Sequence, residues 1–274
     1  MNNGMWKAPA TQANMATLRD RGVHVVGPGS GYLACGDVDT GRMSEPEDIV
    51  EAVCEVLNPV PQDLAGKRIV ITAGPTHEPI DPVRFIGNRS SGKMGIALAG
   101  EAARRGAAAT LVLGPTSLDV PRGVECVRVQ NAAEMLQAAL GAFQTADAAI
   151  CAAAVADYTP AAPADHKLKK ANERLDRIEL VETVDILAEL SRQKGERCVI
   201  GFAAETDNVV EYAQRKLARK GCDAIIANDV SRADSGFGTD TNKAWIVSAA
   251  GTQELPVLTK PQLADTILDL LHNL

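Results

Sequence analysis

The six cysteines of this chain (Cys35, Cys54, Cys126, Cys151, Cys198, Cys222) include no CxxC pair, and its four histidines do not cluster with them. Structural zinc sites need such spacing, so one is not expected. Cys35 aside, the thiols read as reduced and mostly buried. Positive charge is also scarce, with 28 Lys and Arg against 35 Asp and Glu, for a net charge of −7. No global basic field exists to attract nucleic acid or anionic lipid, so any phosphate-binding site must be local. A third absence is the long apolar run. Nothing approaches the roughly 18 residues of a membrane span, and the opening MNNGMWKAPATQ has no apolar signal core. A cytoplasmic protein with no nucleic-acid and no membrane partner is expected. What remains is ordinary: 274 residues, 46% hydrophobic and 23% charged. That is enough chain for one large domain or two smaller ones, with a core that needs no disulfide staples.

From about residue 68 the chain alternates short β-branched runs with helix-like stretches. The strands are expected at 68–72, 109–113, 126–129, 148–152, 198–202, 224–227 and 244–248. Several are continuous apolar runs, which suits parallel strands covered on both faces. Helices are expected at 93–105, 132–143, 185–193, 209–220 and 262–271. This alternation implies a doubly wound, mostly parallel, Rossmann-like α/β sheet, with ligands at the carboxyl ends of its strands. Residues 1–57 offer only a strand (23–26), a Gly-rich loop (27–41) and a helix (45–57), too little to enclose a core. They read as the tail of a domain whose beginning is absent. A Pro-containing linker at 58–65 separates them from a second domain at 66–274.

Four stretches carry chemistry. In ITAGPTHEPIDPVRFIGNRSSGKMG (71–95) a buried strand opens into a long loop holding Arg84, Asn88, Arg89 and Lys93, and then enters a helix. Amides at a helix start, with hydroxyls and cations beside them, suit an anion. Residues 87–93 match G-x-x-x-x-G-K, but position 94 is Met, so the magnesium-ligating hydroxyl of a Walker loop is missing. In CAAAVADYTP (151–160) small residues allow close approach to the backbone, and Asp157 supplies a carboxylate for a metal or a ribose. Lys167, Lys169 and Lys170 follow; their spacing alone favours a solvated face. GFAAETDN (201–208) leads into a helix whose Lys216 and Lys220 share one face, able to neutralise phosphates or simply to be solvated. IIANDVS (225–231) is the fourth.

Taken in order, ITAGPTHEPIDPVRFIGNRSSGKMG, AAVADY, KLKK, GFAAET and AND resemble phosphopantothenate–cysteine ligase, the second half of the bifunctional bacterial coenzyme A biosynthesis protein. The resemblance covers essentially all of residues 66–274. The opening MNNGMW and the later GYLACGDVDTGRM resemble the partner half, phosphopantothenoylcysteine decarboxylase, with its first part removed.

The resemblance implies a CTP-dependent ligase that joins 4′-phosphopantothenate to L-cysteine. The carboxylate attacks the α-phosphorus of CTP to give an acyl-cytidylate, and the amine of cysteine then displaces CMP. Charge develops on phosphate and acyl oxygens, so positioned cations, amides and Mg²⁺ should dominate. By the same resemblance Lys167 serves formation of the acyl-cytidylate, whereas Asn88 and Arg84 serve its consumption. CTP would be held by Cys151, Ala152, Ala153, Asp157, Val184, Asp185, Ile186, Leu187, Phe202, Lys167, Lys216 and Lys220, with Asp157 as the implied magnesium ligand. Residues 184–187 read VDIL where the family often begins with proline. On the decarboxylase side Cys35 is implied as proton donor and Asn2 as the clamp on the substrate carboxylate. FMN belongs to the complete decarboxylase half, so neither FMN binding nor decarboxylation is expected of this chain alone. A homodimer through the ligase half is also implied. Two other classes compete. A dinucleotide-dependent oxidoreductase would need a G-x-G-x-x-G directly after a strand, which is lacking. A non-catalytic assembly subunit would turn over no nucleotide.

Overall fold

In the computed structural model, which describes residues 1–57, 60–169, 176–232, 234–236 and 238–272, the chain divides into two units, Met1–Pro61 and Gln62–Leu274. The first holds helices α1 (Asn3–Lys7) and α2 (Pro9–Asp20), an antiparallel hairpin of β1 (Gly29–Tyr32) and β2 (Val38–Arg42), and helix α3 (Pro46–Leu57). Asn2 caps α1 by accepting from the Gly4 N–H, and Pro9 opens α2, where its missing N–H costs nothing. Three expectations are corrected here. Residues 23–26 form no strand, and Val23 and Val26 stand exposed. The Gly-rich stretch pairs as a hairpin instead of looping freely. Two helices precede it, and α2 was illegible because it buries no residue and so has no apolar period. Among the described residues Leu33 is the one buried apolar side chain of this unit. Cys54, expected to be buried, is exposed on α3.

The second unit runs β3 (Arg68–Ala73), β4 (His77–Pro79), β5 (Phe85–Gly87), α4 (Lys93–Arg104), β6 (Ala108–Leu113), β7 (Glu125–Arg128), α5 (Ala132–Phe143) and β8 (Ala148–Cys151). It continues with β9 (Tyr158–Pro160), β10 (Leu180–Glu182), α6 (Ile186–Arg192), β11 (Cys198–Glu205), α7 (Val209–Lys220), β12 (Ala224–Asp229), β13 (Thr241–Ser248), β14 (Gly251–Thr259) and α8 (Lys260–Asp269). Eight strands join one sheet in the order β14-β13-β12-β11-β8-β3-β6-β7. Six are parallel; β13 and β14 add an antiparallel edge. This is the doubly wound α/β class. β4–β5 and β9–β10 are small separate hairpins.

Successive strand residues face opposite sides, so β3 sends Ile69 and Ile71 to one core and Val70 to the other. Leu98 and Ala102 of α4 pack on the first face with Leu263, Ile267 and Leu268 of α8. Met135 and Phe143 of α5, Leu190 of α6 and Ala213 of α7 cover the second. The start of the unit is anchored. Leu64, read as linker, lies in the first core. Arg105, also buried, pairs with Asp63, Asp265 and Asp269. Asn58 and Pro59 of that linker lie outside the described residues.

Candidate active site

The chain leaves β3 toward β6 and β7, then returns to β8 on the opposite side of β3 and continues to β11 and β12. The carboxyl ends of β3 and β8 therefore diverge, which is where open α/β sheets form their crevice. A cavity of about 790 Å³ opens at this point. Thr72, at the end of β3, lines it; the Thr72 carbonyl accepts from the Ala152 N–H at 3.1 Å and its hydroxyl from the Ala153 N–H at 3.3 Å. These bonds hold the small residues after β8 open toward the space.

One wall is the segment leading into α4. Gly92 takes φ +83°, a conformation natural to glycine, and serves as the helix N-cap. Ser90 and Ser91 accept from the Gly92 and Lys93 N–H groups. The first turn faces the cavity through Lys93, Met94 and Gly95. Asn88 lines the same wall and donates through Nδ2 to the carbonyls of Ala154 at 3.1 Å and Val155 at 3.0 Å. Both partners are acceptors, so only one amide orientation fits and Oδ1 is left for a ligand.

The opposite wall holds most of the positions the resemblance assigned to CTP. Cys151, Ala152, Ala153 and Asp157 line it after β8, Val184, Asp185, Ile186 and Leu187 at the start of α6, Phe202 on β11, and Lys216 and Lys220 on α7. The two lysines are not simply solvated. Lys216 Nζ donates to the Phe202 carbonyl at 2.8 Å. Burial pushes its pKa down, while Glu205 and Asp157 partly oppose that. Lys220 pairs with Asp185, whose carboxylate also caps α6 by accepting from the Ala188 N–H. Burial raises the Cys151 thiol to about 12, so it is no nucleophile near neutral pH.

Arg84 and Lys167 do not line this cavity. Arg84 sits between β4 and β5, paired with buried Asp81, and Lys167 is exposed on the segment after β9. Lys170, read with it, lies outside the described residues. Several lining residues had no local signal in the sequence: Arg219, Asn242 and Lys260. Lys260 is buried and donates to Asn242 Oδ1 at 2.6 Å. Burial, reinforced by nearby Lys93, lowers it to about 8. A lone lysine at the start of α8 offers no motif to find it by.

Among the described residues no group of three His, Cys, Asp or Glu could hold a metal ion. The cavity does carry exposed Asp157 and Glu182. That donor set fits a magnesium ion that keeps its waters and arrives on substrate phosphates, not a dedicated cage. In the first unit Asn2 and Cys35 meet: Asn2 Nδ2 lies 3.1 Å from Cys35 Sγ, which in turn faces Asp37 at 3.5 Å.

The sheet and its switch-point cavity define a doubly wound α/β domain with a crevice at the carboxyl ends of its strands. Residues 64–274 match the DNA/pantothenate metabolism flavoprotein C-terminal domain, and the chain belongs to that family. Residues 1–58 match the Flavoprotein family. Among curated relatives, the coenzyme A biosynthesis bifunctional protein CoaBC of Bacillus subtilis is 46% identical over 271 residues, covering 98% of this chain and 66% of the relative. The protein of the same description from Escherichia coli is 47% identical over 272 residues, 98% of this chain and 67% of its own length. The chain thus spans about two thirds of these relatives. A crystal structure of the C-terminal domain of a CoaBC protein aligns with a TM-score of 0.64 at 46% identity, covering 76% of this chain and 94% of that one. A Cab2 mutant in complex with phosphopantothenate-cysteine shares the fold at 15% identity, with a TM-score of 0.61, covering 84% of this chain and 95% of that one. No helix among the described residues is long and apolar enough to cross a membrane.

Proposed function

We propose that the second unit is a CTP-dependent phosphopantothenate–cysteine ligase acting in the cytoplasm, with the switch-point cavity as its active site. The observation that carries this reading is the convergence on one cavity of Asn88, the β8 end, the α6 start and the two lysines of α7, from segments more than a hundred residues apart. CTP would lie along β8, α6 and α7. Lys216, Lys220 and Arg219 supply positive charge for its phosphates, and a polyanion entering there favours the charged form of Lys216 against its burial. A magnesium ion, with Asp157 as its protein carboxylate, would neutralise developing phosphate charge. Phosphopantothenate would lie against the first turn of α4, its carboxylate directed at the α-phosphorus. That oxygen forms a bond to phosphorus as pyrophosphate leaves. In the second step the cysteine amine attacks the acyl carbon and CMP departs, with Asn88 Oδ1 placed to accept from the amine.

Lys167 and Arg84 are assigned by resemblance to the first and second steps. They lie beside an apolar surface of two adjoining hairpins, on which Val83, Phe85, Tyr158, Leu180 and Val181 are exposed. We assign the homodimer contact to this surface, since isolated monomers rarely expose such a cluster. On the decarboxylase side, Asn2 and Cys35 are proposed as the substrate clamp and proton donor of the FMN-dependent reaction.

The test is release of CMP from CTP. It should require both phosphopantothenate and cysteine, should not occur with NAD in place of CTP, and should fall by roughly 10²-fold or more in Lys167→Gln. Hydride transfer with NAD would favour the oxidoreductase reading, and no turnover with any nucleotide the assembly-subunit reading. Full activity in Lys167→Gln would remove that residue from the site.

A further inference from the structure

Asp81 lies in the turn between β4 and β5, and its carboxylate has no exposed surface at all. Five donors converge on it. Oδ1 accepts from the backbone N–H groups of Val83 at 2.9 Å and Arg84 at 2.8 Å. Oδ2 accepts from Arg84 Nε at 3.0 Å, from Arg84 Nη2, and from the backbone N–H of Leu168 at 3.2 Å. The Leu168 carbonyl in turn accepts from Arg84 Nη2 at 3.0 Å. One residue, 87 positions along the chain, is therefore gripped on both sides of its backbone by a single ion pair. A second tie lies close by, where the Ala164 N–H donates to the Ile80 carbonyl at 2.9 Å. Lys167 stands between these two ties with its own side chain exposed.

We infer that Asp81 is a positioning residue for the ligase reaction, fixing together the backbone that carries Lys167 and the guanidinium of Arg84. This rests on the ligase reading above. The physical case has three parts. An ion pair whose guanidinium is 38% exposed contributes little net stability, so stability alone does not account for a carboxylate kept wholly out of solvent here. Arg84, followed by burial-opposed backbone bonds, holds the Asp81 carboxyl well below the usual carboxylate range, so the clamp stays charged at every working pH. And a lysine on an irregular segment needs such support if it is to meet a phosphate in register, because a displacement of about 1 Å costs about 10²-fold in rate.

The test uses the full chain, two variants and a control. In Asp81→Asn the carboxamide still accepts from Val83 and Arg84, but it must turn its NH₂ toward Leu168 and the guanidinium, which are themselves donors. Leu168→Pro keeps the Asp81–Arg84 pair and deletes the Leu168 N–H, while also fixing φ at 168 and favouring extended backbone at Lys167. Leu168→Ala, which keeps the N–H, is therefore measured beside it and should stay near normal. Asp81→Asn and Leu168→Pro should both lower kcat by roughly 10²-fold with a much smaller change in the KM for CTP, since of the residues assigned to CTP only Lys167 is displaced and the cavity wall is untouched. Amide exchange at Leu168 should accelerate in Asp81→Asn. Should Asp81→Asn fail to fold, Leu168→Pro decides alone. A near-normal kcat in folded Asp81→Asn or Leu168→Pro, or a loss expressed only as a higher KM for CTP, overturns the inference. Lys167→Gln, measured alongside, separates the two readings. If it is inactive while Leu168→Pro is normal, the clamp fails and the ligase site stands. If it is fully active, the underlying site assignment has failed.

Discussion

The amide of Asn88 has two ends, and the structure assigns them different work. Its NH₂ is spent on the carbonyls of Ala154 and Val155, so the side chain both ties the α4 wall to the β8 wall and presents an oxygen. In the proposed second step an acceptor there suits the amine of cysteine. Asn88→Asp tests this. A carboxylate would face two carbonyl oxygens it cannot bond, so the side chain must swing away. Cysteine-dependent CMP release is expected to fall by roughly 10²- to 10³-fold, whereas the first burst of pyrophosphate from CTP and phosphopantothenate persists. Rapid-quench measurement of both products distinguishes the steps; loss of the burst in parallel with CMP release counts against the assignment. Asn88 was legible because it sits in a long, specific motif. Lys260 and Asn242 were not, because their meaning lies in a contact 18 residues apart in sequence that no local pattern encodes.

At the scale of elements, the site depends on how closely α4 approaches β3. A Cβ on Gly95 would stand 2.3 Å from Ala73 Cβ, 3.0 Å from Ala73 Cα and 3.2 Å from the Thr72 carbonyl oxygen. Two of these neighbours are backbone and cannot yield. Gly95→Ala should therefore push α4 off the sheet, costing roughly 1–3 kcal/mol and displacing the helix start that faces the cavity. Gly201→Ala is the control. Its Cβ would meet Leu187 Cδ2 at 2.4 Å and Ile225 Cδ1 at 2.9 Å, both ends of flexible side chains that can turn aside. Urea unfolding should rank Gly95→Ala as the more damaging, and only that variant should raise the KM for phosphopantothenate; equal effects would mean the helix start does not touch that substrate. The inner parallel strands were legible because they are short apolar runs covered on both faces; β7, at the sheet edge, is mostly exposed. β14 was not legible. It is an edge strand with eight of nine positions outside the core, and it alternates too weakly to stand out. The three-residue hairpin strands are shorter than any period can register.

For the whole molecule, what matters is which part of the chain can stand alone. The second unit contains both hydrophobic cores, the complete eight-stranded sheet and every residue that lines the switch-point cavity. Reading the boundary from composition placed it at residue 66, because Pro59, Pro61 and the polar residues around them look like linker. Burial moves it earlier. Leu64 is 1% exposed and belongs to the core beneath α4 and α8, and its backbone N–H donates to the Arg105 carbonyl at 3.1 Å. Asp63 is one of three carboxylates around the Arg105 guanidinium, which is only 4% exposed. A fragment of residues 62–274 should therefore fold and retain the ligase turnover of the full chain. One beginning at residue 66 loses Leu64, a deletion that costs about 2–5 kcal/mol when a core leucine is truncated, and leaves a buried guanidinium with a weaker counter-charge. Urea midpoints of the two fragments measure the difference directly. Equal midpoints would show that residues 62–65 contribute nothing to the second unit, whereas a lower midpoint for the shorter fragment, with CMP release preserved in the longer one, places the functional boundary ahead of Leu64.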